Sequence, residues 1–240
     1  VGEASVVGLP DVTMAVSALE VEINQVSGLP ADLDDNDHVI DFAANPQDLR
    51  VAASETRSIA IDGGLGEMIS VEGDVTLSVG EILDLSGHMR FGLFTQDITL
   101  ANAEVVSSQF MQIGGEDINA TLRSGPGSDA LGVSLQGLSF DLALAREVGG
   151  AGRAWLGLQG SADSAELLGT ASMGLSVSGS NLGAELNLAL SANTPVIDWT
   201  QTDLPLGDSQ WAMDAQRIAV AGTMNVAYGN DFSASGCVYL

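Results

Sequence analysis

Lysine is absent from this 240-residue chain, and its seven basic residues are all arginine. Against 32 acids they leave a formal net charge of −25. Such a field repels nucleic-acid phosphates and anionic lipid headgroups, which excludes DNA and RNA as partners. It suits divalent cations and salty water, where repulsion between carboxylates is screened. The one cysteine, Cys237, rules out an internal disulfide. It does not argue against export, because a domain of this size needs no staple. Histidine is limited to His38 and His88. No Gly-x-Ser-x-Gly elbow, His-Glu-x-x-His pair or Cys-x-x-Cys pair is present. Asp62-Gly63-Gly64-Leu65-Gly66-Glu67 reads as a turn, since acids flank it and no helix pattern follows to cradle a phosphate. Catalysis has little to work with, and the chain is read as no enzyme. Aromatics make up only 5% and include two tyrosines, too few for the girdles of a membrane barrel. No apolar run approaches the roughly 20 residues of a membrane helix, so no transmembrane segment is expected. Val1-Gly2-Glu3-Ala4 lacks the basic and apolar regions of a signal peptide.

What is present is alternation. Odd positions from Ile69 to Leu93 are apolar at Ile69, Val71, Val75, Leu77, Val79, Leu83, Leu85, Met89, Phe91 and Leu93, with Ser, Glu, Asp, Thr, His and Arg between them. Even positions from Ile218 to Leu240 follow the same rule. Period two describes strands with one buried and one wet face, the usual habit of antiparallel sheets. Gly80-Glu81, Gly149-Gly150-Ala151-Gly152 and Gly229-Asn230-Asp231 separate such runs and read as hairpin turns. At Gly137 the alternation changes parity, from Val133 and Leu135 to Leu138, Phe140 and Leu142, which predicts a bulge. Gly73, Gly87, Gly222 and Gly236 fall on the apolar side and mark bends or close approaches. Helical signal is confined to a turn or two over Asp48–Glu55. The expected fold is all-β, with about 14 to 18 strands of ordinary length, as an antiparallel β-sandwich or an elongated sheet folded on itself. A β-helix or solenoid is the alternative, although no short coil repeat is found.

The chain also repeats itself. Leu19-Glu20-Val21-Glu22-Ile23-Asn24 resembles Leu182-Gly183-Ala184-Glu185-Leu186-Asn187. Val39-Ile40-Asp41-Phe42 resembles Val196-Ile197-Asp198-Trp199, and Ile69–Phe91 aligns without a gap on Ile218–Leu240. The offset falls from 163 (Leu19 to Leu182) to 157 (Val39 to Val196) to 149 (Ile69 to Ile218), which places short deletions in loops. A period of roughly 160 residues is domain-sized and too long for common solenoid repeats. The expectation is about one and a half tandem repeat units, 1–161 the first and 162–240 a partial second that stops in mid-unit.

The densest cluster of oxygen donors is Asp32-Leu33-Asp34-Asp35-Asn36-Asp37. Asp32, Asp34, Asp35, Asn36 and Asp37 suit a hard cation such as Ca²⁺, which takes 6–8 oxygens. Asp32, Asp34 and Asn36 share the 1-3-5 spacing of an EF-hand. Asp37 then stands where that motif has glycine and Ala43 where it has glutamate. The second copy has Ser191-Ala192-Asn193-Thr194-Pro195 at this place, without carboxylates. Asp41 and Asp198 recur at matching positions and read as ordered carboxylates at a strand edge. Trp155, Trp199 and Trp211 read as packing residues, Trp199 replacing Phe42. His88 has Cys237 as its counterpart, which marks a permissive surface position.

Together the Leu-x-Val-Glu-Ile-Asn-Gln, Val-Ile-Asp-Phe, Leu-Gly-Glu-Met-Ile-x-Val-x-Gly and Leu-Gly-Val-Ser-Leu-x-Gly-Leu-Ser-Phe segments resemble the repeats of very large, acidic, repetitive exoproteins of aquatic bacteria. The resemblance spans nearly the whole chain, rests on strand-and-turn patterns, and carries over no catalytic residue. It implies secretion, tandem organisation and often calcium. The expected role is a structural repeat module of a large extracellular or cell-surface bacterial protein, as an adhesin-like stalk or a building block of a surface filament or layer. Ca²⁺ at the Asp32–Asp37 loop would rigidify the junction between units. Its partners would be neighbouring repeat units, copies of itself, or a surface glycan or other cell-surface ligand. The alternatives are a subunit that assembles by strand addition and a carbohydrate-binding β-sandwich.

Overall fold

Alternating segments pair with their sequence neighbours throughout. The structure, a computed structural model, describes residues 2–5, 12–26, 39–52, 54–127, 129–204, 206–207 and 210–240. Among these it holds twelve strands: β1 Gly2–Ser5, β2 Val12–Asn24, β3 Gln47–Ala52, β4 Glu55–Ile59, β5 Met68–Val79, β6 Leu83–Thr99, β7 Val105–Arg123, β8 Gly132–Glu147, β9 Ala154–Leu168, β10 Leu175–Ala189, β11 Arg217–Tyr228 and β12 Phe232–Tyr239. Ten of them form one antiparallel meander, β1-β2-β5-β6-β7-β8-β9-β10-β11-β12, with β1 and β12 as edges and no closure into a barrel. β3 and β4 make a separate two-stranded hairpin. The chain is therefore all-β and antiparallel, as its alternation requires, and the absence of parallel pairing among these strands removes the β-helix.

Two details differ from expectation. The strands are fewer because they are longer: β6 has 17 residues and β7 has 19, against a usual five or six. Asp48–Glu55 is not helical but supplies β3 and the start of β4. Its partner strand within the hairpin overrides a weak local helix preference.

Rows of hydrogen-bonded neighbours show what each face carries. The row Met14–Leu77–Leu85–Ala120–Leu135–Ala165–Gly179–Met224–Gly236 crosses from β2 to β12 without a polar side chain. So does Val21–Val71–Phe91–Ile113–Leu142–Leu158–Leu186–Ile218. Val71 and Leu77 are both odd positions of one unbulged strand, so the two rows share a face. Keeping them there requires parity changes in other strands. Positive φ angles at Ala18 in β2 (52°), Asp117 in β7 (52°), Gly137 in β8 (59°) and Asn181 in β10 (50°) mark the register shifts that provide them. A one-residue slip would otherwise have turned half of each strand over.

The hydrophobic core lies on the other face. Phe94, Ile98, Leu100, Phe110, Ala143, Ala145 and Trp155 are buried there beneath Ile197, Trp199, Leu204, Trp211 and Met213 of the 190–216 connection. This strap runs from β10 back across the sheet to β6. Its Ile197 bridges Leu100, the Asp198 N–H donates to Thr99 O at 2.8 Å, and Ala101 N–H donates to Val196 O at 2.9 Å. Phe94 stacks on Phe110 at 5.4 Å, and Trp199 meets Phe110 edge-on at 6.3 Å. Gly157 lets the strap come down: a Cβ there would fall within 2.5 Å of the Trp199 ring.

Candidate functional site

The matching sequence segments occupy matching places in the sheet. β2 is followed by a long connection and then the β5–β6 hairpin; β10 is followed by the strap and then the β11–β12 hairpin. Asn24, at the end of β2, donates through Nδ2 to Ile40 O at 2.9 Å. Its counterpart Asn187 donates through Nδ2 to Ile197 O at 2.8 Å. Both asparagines are buried, and each ties its strand to the Val-Ile-Asp segment of its own connection. The adjoining bulges match too. A Cβ on Gly73 would lie 3.0 Å from Ser17 O and 3.3 Å from Leu19 Cα; one on Gly222 would lie 3.5 Å from Ser180 O and 3.4 Å from Leu182 Cα. Both glycines therefore sit against the same turn of bulged backbone. Asp41 and Asp198, the recurring carboxylates, each cap their own loop. The Asp41 Oδ1 accepts from Ala44 N at 2.9 Å and Gly63 N at 3.4 Å; the Asp198 Oδ1 accepts from Thr200 N at 3.0 Å and Thr200 Oγ1 at 2.6 Å.

The two copies differ in what they cover. Asn187 also donates to Ala215 O at 3.1 Å and accepts from Trp199 Nε1 at 3.0 Å, a bond the Phe42 of the first copy has no donor to make. Beyond Asn187 the strap is zipped down by Gln112, which donates to Leu206 O at 2.6 Å and accepts from Leu206 N at 3.2 Å. Trp155 Nε1 donates to Pro195 O at 2.8 Å.

Below the strap the sheet carries a charged row, Glu20–Glu72–Arg90–Gly114–Asp141–Gln159–Glu185. Arg90 is buried. Its Nη2 donates to both Asp141 oxygens at 3.0 and 3.1 Å, and its Nη1 donates to Glu116. Gln112 Nε2 adds a bond to Asp141 Oδ1 at 3.2 Å, which joins this cluster to the strap. Burial opposes the Arg90 charge, but Glu116 and Asp141 outweigh it and its pKa is raised. A cavity of about 210 Å³ opens beside the cluster, lined by Arg90, Glu116, Asp141, Gln159, Ser161 and Trp211. Sequence pattern places Arg90 on a wet face and gives no hint of this burial. The guanidinium joins a carboxylate of β7 to one of β8, so the cluster reads as a structural tie across β6, β7 and β8.

At the upper end of the sheet Arg153 bridges Glu104, with bonds of 3.1 and 2.7 Å, and Glu147, with bonds of 3.0 and 2.9 Å. Its guanidinium holds both carboxyls below the usual carboxylate range, and backbone N–H groups do the same for Asp41. Burial, with help from Glu20 and Glu72, pushes Glu22 up instead. A depressed acid contributes stability above its unfolded pKa, and that contribution is lost as pH falls through the folded value; Glu22 acts in the opposite sense. The Arg153 bridge is therefore intact above about pH 4.3 and fails only as pH falls further, through the lowered values of Glu104 and Glu147. An Arg153→Gln variant is expected to melt below the wild type at pH 7, where the bridge is fully present, and to show a flatter acid limb, so that the two converge as pH falls.

The acidic loop Asp32, Asp34, Asp35, Asn36 and Asp37, together with His38, lies outside the described residues. Among the described residues no three His, Cys, Asp or Glu side chains converge as metal ligands, and no helix is long and apolar enough to cross a membrane. His88 is partly exposed and lies 3.1 Å from Asp74 Oδ1; Cys237 is exposed. No protein-family model, curated protein or solved structure gives a significant match to the chain.

Proposed function

We propose that this chain is a structural repeat module of a large extracellular or cell-surface bacterial protein, working as a stalk segment or as a building block of a surface filament or layer. The observation that carries the reading is the recurrence of one joint: an asparagine at a strand end bonded to the second residue of a Val-Ile-Asp segment, beside a bulge seated on a glycine. Repeating such a joint along a meander lengthens a sheet without new design, which is what a mechanical array needs. The strongly acidic composition, without lysine, fits life in salty water. Calcium enters through the Asp32–Asp37 loop, as a clamp on the longer connection of the first copy. No catalytic role is assigned.

A second reading rests on β12. It carries no charged residue and repeats β6, whose free side is occupied by β7. At Gly87 the bulged Asp117 and Ile118 of β7 close over the glycine, whereas its counterpart Gly236 has no neighbour within 4 Å. An uncharged edge of this kind takes up another strand readily.

Calorimetry with calcium and then with chelator, run beside light scattering, separates the readings. A higher Tm in calcium at constant particle size supports the clamped module. Calcium-independent growth into open-ended particles favours strand addition. A melt that ignores calcium removes the metal from the account.

A further inference from the structure

We propose that the open face of the sheet is covered by the same face of a second copy of this chain, giving a two-layer β-sandwich. This goes beyond the stalk reading and holds whether or not that reading is correct. The face is apolar from β2 to β12 and carries no charge between its first and last apolar rows. Nothing in the described chain packs on it. The strap and the core it buries are on the other side, and Val21, Ile23, Leu122, Ile218 and Val220 are exposed.

Its size calls for an occupant. Eight strand spacings by ten residues give a footprint on the order of 1,200 Å², against roughly 800 Å² per partner in a standard stable interface.

The geometry points to a protein sheet rather than to lipid. Strands of a membrane barrel tilt by about 35–45°, so a lipid-facing band must slide along successive strands by roughly one residue each. Here the band keeps to the same hydrogen-bonded rows, Val21–Val71–Phe91–Ile113–Leu142–Leu158–Leu186–Ile218 at one level and Met14 through Gly236 at another. An unstaggered rectangle is the shape one flat sheet offers another at about 10 Å. Charge selects the second copy. Every carboxylate of the row Glu20–Glu72–Asp141–Glu185 is on the strap side. Pairing open faces puts the acids of two chains of charge −25 on opposite outer surfaces, whereas packing by strap faces would bring them together.

Sedimentation of the whole chain, beside an Ile113→Glu/Leu158→Glu variant, tests this. The wild type is expected at twice the 24.6 kDa chain mass. The variant is expected at half the wild-type mass with unchanged circular dichroism, because both positions are only partly covered in the single chain. Should the two glutamates unfold the chain, Leu122→Glu, at the margin of the face and 56% exposed, replaces them. A monomeric wild type overturns the proposal. So does a wild type that enters phosphatidylcholine vesicles instead of pairing, or a dimer whose mass the variants leave unchanged.

Discussion

Replacing Asn187 by alanine is expected to lower stability by about 3–5 kcal/mol, the sum of a small cavity and three broken buried hydrogen bonds. In a chain of this length that corresponds to a fall in Tm of roughly 8–15 °C. The side chain is fully buried and links the end of β10 to the Ile197 and Ala215 carbonyls of the strap and to the indole of Trp199. Removing it strands two carbonyls and one N–H where water does not reach, and an orphaned buried group costs more than an average hydrogen bond returns. The repeat supplies the control. Asn24→Ala breaks the single bond to Ile40 O and is expected to cost about 1–2 kcal/mol. Trp199→Phe, which restores the residue of the first copy, is expected to fall between the two. Equal losses at Asn24 and Asn187 in thermal melts would show that the strap of the second copy is no more firmly held than the connection of the first.

That contrast also shows where sequence pattern stops. Alternation at Ile69–Leu93 and Ile218–Leu240 is a local property of strands, so the antiparallel meander, the turns at Gly80, Gly149–Gly152 and Gly229, and the parity change at Gly137 are all legible in it. The side on which the core lies is not. Alternation marks Val71, Phe91 and Leu142 as the buried set, yet the packed aromatics are Phe94, Phe110 and Trp155 on the opposite face. What decides the matter is a tertiary event, the return of the strap over the upper sheet. Its residues carry no period at all, and only the match of Val196-Ile197-Asp198-Trp199 to Val39-Ile40-Asp41-Phe42 hints that the segment is special. Asn24 and Asn187 end matching stretches of sequence. Their role appears only once the connections fold back. The bulges at Ala18, Asp117 and Asn181 have no glycine to mark them in the sequence, although each has positive φ.

Arg90→Met is expected to destabilise the chain by about 3–5 kcal/mol, because it leaves Asp141 buried without its counter-charge. Asp141 is 3% exposed and accepts from Arg90 Nη2 at both oxygens, with Gln112 as a further donor. Glu116, the other partner of Arg90, is more than half exposed and is rehydrated when the arginine goes, so its share of the loss is small. The double variant Arg90→Met/Asp141→Leu should recover most of the loss, since two apolar side chains replace a pair whose attraction barely exceeds its desolvation cost. Recovery in the double mutant, measured by denaturant unfolding, would identify the pair as a register device: it fixes β6 against β8 through the narrow gap at Gly114, where an added Cβ would meet Asp141 Oδ1 at 2.6 Å. A double variant as unstable as Arg90→Met alone would mean that the guanidinium stabilises something besides Asp141. The candidate is then the strap itself, which approaches Arg90 through Gly207. The two outcomes separate a tie within the sheet from a tie between sheet and strap. They also bear on the array, because a fixed stagger between neighbouring strands is what lets the joint of the first copy recur in the second.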